Sequence, residues 1–244
     1  MSSHGVEVVA CVALGAPWAL AGSWRACGGT LSRTARAALG GIAAAELAWL
    51  AYGVLELAGL GVRFEWLERG DFRALGLAAI VGLVEEGAKL AGALISLPHA
   101  RCDARERARI VLAVAAAFAT VEAVLVLPGA AWPVLVGRAA CAPVAHALLA
   151  VPVALALAGA GGASAGAAPK IAGGLFVAAL LHALGDFSLM RPPWGRAAFA
   201  ATLLLPAIWL YARGRAGRDG RDRDGRSPIP ERVAAAFPRA LASR

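Results

Sequence analysis

Charge is scarce in this chain: Asp, Glu, Lys and Arg make up 16% of its 244 residues, against 59% hydrophobic residues. Soluble domains carry about 25% charged and roughly 45–50% apolar residues, so the composition excludes an ordinary soluble fold. Cysteine is scarce as well. Cys11, Cys27, Cys102 and Cys141 show no CxxC spacing, which argues against a disulfide framework or a zinc knuckle. The opening "MSSHGVEVV" has no basic residue ahead of the first apolar run, so a signal peptide is not expected there. No internal repeat is visible, and with it goes the inverted duplication typical of many transporters.

What the chain has instead is long apolar runs, with a mean hydropathy of +0.67. Stretches of roughly 17–25 apolar residues can span a bilayer, and they recur at 6–22, 37–60, 75–97, 110–127, 134–157, 171–190 and 197–212. The expectation is an all-α, polytopic bundle of about seven membrane-spanning helices in a cell membrane. Lys and Arg between the spans divide 17 to 5, which places the N-terminus outside and the C-terminus in the cytoplasm. Residues 1–212 form the embedded domain and 213–244 a basic, disordered tail. Five of the eight net positive charges fall in residues 213–244, which open with "RGRAGRDGRDRDGRSPIP". A nucleic-acid role would interleave aromatic residues with the basic ones; none is present, so the partner expected for this tail is the anionic lipid surface. The seven tryptophans fall mostly near span ends and read as interfacial anchors.

Against this apolar background the ionisable residues inside the spans stand out, because each costs at least ~2.5–3.5 kcal/mol at the bilayer centre. They are Glu46 and Glu56; Glu85, Glu86 and Lys89 in "GLVEEGAKLAG"; Glu122; Arg138 and His146; and His182 and Asp186. At 1.5 Å per residue, Glu85, Glu122, His146 and His182 all lie roughly 17–18 Å from one end of their helices. Four helices thus deliver acids and imidazoles to one layer. Glu85 and Lys89 are four residues apart and share a helix face, with Glu86 turned by about 100°, so Lys89 is the expected counter-charge for Glu85. Arg138 can serve another carboxylate. His182 and Asp186, also four apart, make the pairing in which a carboxylate holds an imidazole in one tautomer. Glu56, near the outer end of its span, reads as solvated.

"EEGAK", "FATVE" (Phe118 to Glu122) and "HALGD" (His182 to Asp186) fit EExxK, FxxxE and HxxxD, in that order, on three separate helices. "RAACAPVAH" adds Arg138 and His146 between the second and third. Together they resemble the PrsW family of intramembrane proteases, relatives of the bacterial CAAX-processing and bacteriocin-processing enzymes, over a core of residues 75–190. That resemblance implies hydrolysis of a peptide bond in a membrane-anchored protein substrate, with Glu85, Glu86 and His182 as catalytic centre. In that reading Glu122 and His146 position water, substrate or a metal, with Asp186, Lys89, Phe118 and Arg138 in support. Whether a zinc ion takes part stays open: His146, His182 and Glu122 could supply the three protein ligands of a catalytic zinc, yet no histidine is followed by Glu, so the HExxH helix is absent. The rhomboid GxSG motif is missing, and "GASAG" (Gly162 to Gly166) lies in a Gly/Ala loop rather than at a strand-to-helix elbow. The competing expectation is a proton- or cation-coupled transporter using the same buried Glu, His and Asp residues as a relay.

Overall fold

A computed structural model describes residues 3–26, 31–69, 71–97, 103–126, 131–160, 166–191 and 193–223. Cys27, Cys102, most of the "GASAG" run and the tail beyond Arg223 lie outside them. Eight α-helices follow one another: α1 (Ser3–Ala26), α2 (Leu31–Leu57), α3 (Phe72–Ser96), α4 (Ala104–Val126), α5 (Trp132–Leu149), α6 (Val151–Gly159), α7 (Ala167–Leu189) and α8 (Gly195–Arg223), with a short 3-10 helix at Phe64–Arg69. No strand occurs among the described residues. Two compact units are distinguished, Met1–Pro206 and Ala207–Arg244. The first carries the bundle and everything that follows.

Five segments are long and apolar enough to cross a membrane: Thr34–Leu57, Ala104–Val126, Trp132–Gly159, Ala167–Leu189 and Gly195–Arg213. The fifth span expected from the sequence, 134–157, is thereby refined. α5 and α6 are one span with a break at Ala150, where Pro152 lacks the N–H that would bond back to residue 148. α3 is not among the five because Glu85, Glu86 and Lys89 interrupt its hydropathy, yet it packs against α2, α4 and α7 in the middle of the bundle. In α1, the apolar stretch is the shorter Val6–Pro17.

Small residues make the close packing possible. The core is built largely of alanines and valines, including Ala44, Ala48, Ala88, Ala93, Val111 and Val114. Bulky side chains face outward instead: Leu50 is 66%, Ile95 67% and Phe176 68% exposed. That inversion suits a bundle whose outer solvent is lipid, where association rests on close packing of small residues rather than on burying bulky ones. Gly82 is the sharpest case. A Cβ there would collide with the Ala179 carbonyl of α7, and these positions lie about one turn from Glu86 and His182 respectively.

Polar ends are fixed by side-chain caps. Asp71 accepts a hydrogen bond from the Ala74 N–H at 2.9 Å and starts α3. Arg107 of α4 donates to the Leu157 and Ala158 carbonyls at 3.2 and 3.1 Å, satisfying the last turn of α6. Arg191, its guanidinium 4.4 Å from the Phe187 ring, donates to the Leu67 and Glu68 carbonyls and holds the 3-10 helix against the end of α7.

The α3–α7 contact therefore sets the spacing of the polar groups above it. Gly82→Val is expected to lower the midpoint of thermal unfolding in detergent and to abolish activity. Gly76→Ala, where a Cβ meets nothing, should leave the midpoint unchanged or slightly raised. Equal behaviour of the two variants would show that the close approach is unimportant.

Candidate functional site

α3 brings its charged trio to the centre of the bundle. Glu85, Glu86 and Lys89 are 4%, 1% and 1% exposed, and His146 and His182 are buried as well. The faces of α3 that carry Glu85 and Glu86 are both covered, so the roughly 100° between them points them to different neighbours rather than sending one into lipid.

Glu86 is the hub. Its Oε1 accepts from Lys89 Nζ at 2.7 Å and lies 2.8 Å from His182 Nδ1. The closer partner of Lys89 is thus Glu86; Glu85 Oε2 is 3.7 Å away. The same ammonium donates to His146 Nδ1 at 2.8 Å and sits 4.6 Å from the centre of the Phe118 ring, a cation–π contact. With its Nδ1 lone pair taken by Lys89, His146 presents Nε2–H to Glu122 Oε2 at 3.2 Å. α5 places His146 between Pro143 and the break at Ala150.

His182 turns its other nitrogen to a different pair of acids. Nε2 lies 3.5 Å from both Glu85 Oε2 and Asp186 Oδ2. The two imidazoles stand edge to face, centroids 5.2 Å apart. Glu86, rather than Asp186, is therefore the carboxylate closest to His182. Arg138 is exposed on α5 and lines a cavity of about 180 Å³ that also reaches His146, His182 and Asp186.

One participant was not singled out from the sequence. Tyr52 of α2 donates its hydroxyl to Glu85 Oε1 at 3.1 Å. A signal existed: the chain has only two tyrosines, and a phenol within a span needs a polar partner. Which helix would supply that partner could not be read from spacing. Glu46, by contrast, is exposed and stays outside the cluster.

The sequence model of the PrsW family intramembrane metalloproteases matches residues 30–212. The chain belongs to that family. Neither a curated relative nor a solved structure matches it. For a PrsW protein, the meeting of "EEGAK", "FATVE" and "HALGD" at one buried point is the relevant geometry, and α2 joins them through Tyr52.

The family's description raises the question of a metal. Glu85, His146 and His182 each offer a ligand atom, all within 4.8 Å of one another. Glu85 Oε2 is buried and makes no hydrogen bond with the described residues, as suits an oxygen left for a ligand. Glu86 fixes the far nitrogen of His182 in the manner of the carboxylates behind metal-bound histidines. Two imidazoles and a carboxylate match a catalytic zinc set with one position open. The residue types fit, with Glu122 behind His146 rather than in the trio, and His146 would join the set by giving up its Nδ1 hydrogen bond from Lys89 or its Nε2 contact with Glu122.

Lys89 ties the cluster together electrostatically. Removing one member of a buried ion pair strands the other and costs about 3–5 kcal/mol. Lys89→Met should therefore lower unfolding stability in detergent by about that amount, and so should Glu86→Gln. The double variant should cost clearly less than the sum of the two. Strict additivity would mean that Lys89 and Glu86 do not depend on each other.

Proposed function

We propose that this PrsW protease hydrolyses a peptide bond of a membrane-anchored protein in the cell membrane, with Glu85 as the general base. The observation that carries the reading is the Glu85 Oε2 atom: free of hydrogen bonds among the described residues, 3.5 Å from His182 Nε2, and on a residue that lines a groove, whereas Glu86, whose Oε2 is also without a hydrogen bond, does not line it. A carboxylate in that state can take a proton from water and later return it to the leaving amine.

The neighbouring residues have separate tasks in this scheme. Tyr52 holds Glu85 Oε1, which leaves Oε2 as the working oxygen. Both nitrogens of His182 face carboxylate oxygens, so Nε2–H can be donated to the oxyanion that forms on the attacked carbonyl. Glu86 and Asp186 fix that ring in place. Lys89 offsets the charge of Glu86 and, through His146, orders Glu122. In a metal-dependent alternative, Glu85, His146 and His182 would hold a zinc ion, which would supply Lewis-acid activation of water in place of the free Glu85 base and the His182 Nε2–H donor. Substrates anchored in the membrane suit a centre that α3 holds near the middle of its length.

The test is proteolysis of single-span membrane proteins by the purified protein in liposomes. Glu85→Gln and His182→Ala should each reduce kcat by about 10²–10⁴-fold, the range for loss of a general acid–base group. Tyr52→Phe should lower kcat by about ten-fold with KM little changed, as expected of an orienting group acting through Glu85. Loss of cleavage on chelation, restored by added zinc, would assign the metal. Undiminished cleavage by folded Glu85→Gln and His182→Ala would remove these residues from the chemistry.

A further inference from the structure

A groove of about 290 Å³ leads to the site from between α2 and α4. One wall is a single stripe on α2, Ala45, Ala48, Tyr52 and Glu56, at the three- and four-residue spacing of one helix face. The opposite wall is Phe118, Glu122 and Val126 of α4, and Glu85 of α3 forms the floor. Three features of this groove point to an occupant. On its α2 wall Ala45, Ala48 and Gly53 leave room for a chain between the larger Trp49 and Tyr52. Its floor presents the buried Glu85 carboxylate whose Oε2 has no hydrogen bond among the described residues. Finally, its charged lining residues are all acidic: Glu56, Glu85 and Glu122.

Glu56 is the member that the catalytic scheme leaves unused. It is exposed, toward the Leu57 end of α2, and makes no ion pair with another described side chain. A peptide bond inside a helix has its N–H and C=O engaged four residues away, so the chain to be cut must enter unwound. An unwound chain in lipid exposes polar backbone groups, and the Tyr52 and Glu122 side chains are the groove's means of meeting them. From Tyr52 to Glu56 the helix rises about 6 Å, and an extended chain covers that distance in about two residues.

We propose that this groove seats the unwound substrate segment and that Glu56 selects a basic side chain about two residues from the scissile bond, on the side toward the Leu57 end of α2. This inference rests on the hydrolytic reading and names the substrate class for it. The cavity beside Arg138 has a cation at its rim and offers no such selection for a basic chain.

The experiment uses the full chain in liposomes with single-span substrates carrying Lys, Ala or Glu at each position around the cleaved bond. Lys at the position facing Glu56 should raise kcat/KM about five-fold over Ala, the upper range for a partly exposed ion pair. Glu56→Gln should erase that preference, and Glu56→Lys should transfer it to Glu-bearing substrates. The same substrates, photo-cross-linked to a probe on Val126→Cys in a Glu85→Gln background, report occupancy without turnover. A Lys preference that persists in both Glu56 variants overturns the proposal, as does cross-linking indifferent to residue 56. Lys-dependent cross-linking without cleavage by the wild type would uphold the groove and its selectivity while removing the hydrolytic reading.

Discussion

One carboxylate oxygen, Glu86 Oε1, accepts from a lysine on its own helix and from a histidine on α7. Around it a charge that would be prohibitive in hydrocarbon becomes tolerable, because each donor is satisfied and the ammonium lies between acids. The rest of the centre is arranged from this point. Lys89 passes the constraint to His146, His146 to Glu122, and His182 to Glu85 and Asp186. Three helices, α4, α5 and α7, are thereby registered against α3 by polar contacts, and α2 joins through Tyr52, in a bundle whose apolar contacts are mostly between small residues that specify register weakly.

That arrangement gives the two adjacent glutamates different lives. Glu86 is bound at Oε1 by Lys89 and His182; its Oε2 is buried without a hydrogen bond among the described residues, and the groove that Glu85 lines does not reach it. Glu85 is held at one oxygen by Tyr52 and left open at the other. The doubling of the acid in "EEGAK" follows from this division: one residue keeps the centre assembled, the other faces the groove. Adjacent positions can do both because a helix turns about 100° between them and both of those faces of α3 are covered by neighbouring helices.

Close packing and chemistry are linked through the glycines. Gly82 lets α3 touch the α7 backbone at Ala179, and without that approach Glu86 and His182 would not come within hydrogen-bonding distance. The price of such packing is a core of alanines with little bulk to bury. Bulky Leu, Ile and Phe side chains accordingly cover the outside, where lipid receives them.

Membrane character, helical class and the residues of the three motifs follow from the sequence alone, because apolar runs and four-residue spacings are properties of one helix at a time. The matched depths of Glu85, Glu122, His146 and His182 could also be counted, since rise per residue is fixed. Partner choice could not. That Lys89 bonds Glu86 and His146, that Glu86 lies closer to His182 than Asp186 does, and that α2 contributes Tyr52 depend on how helices rotate about their axes and which of them touch. Those angles are set by contacts between residues far apart in the chain, and only the tertiary structure decides them.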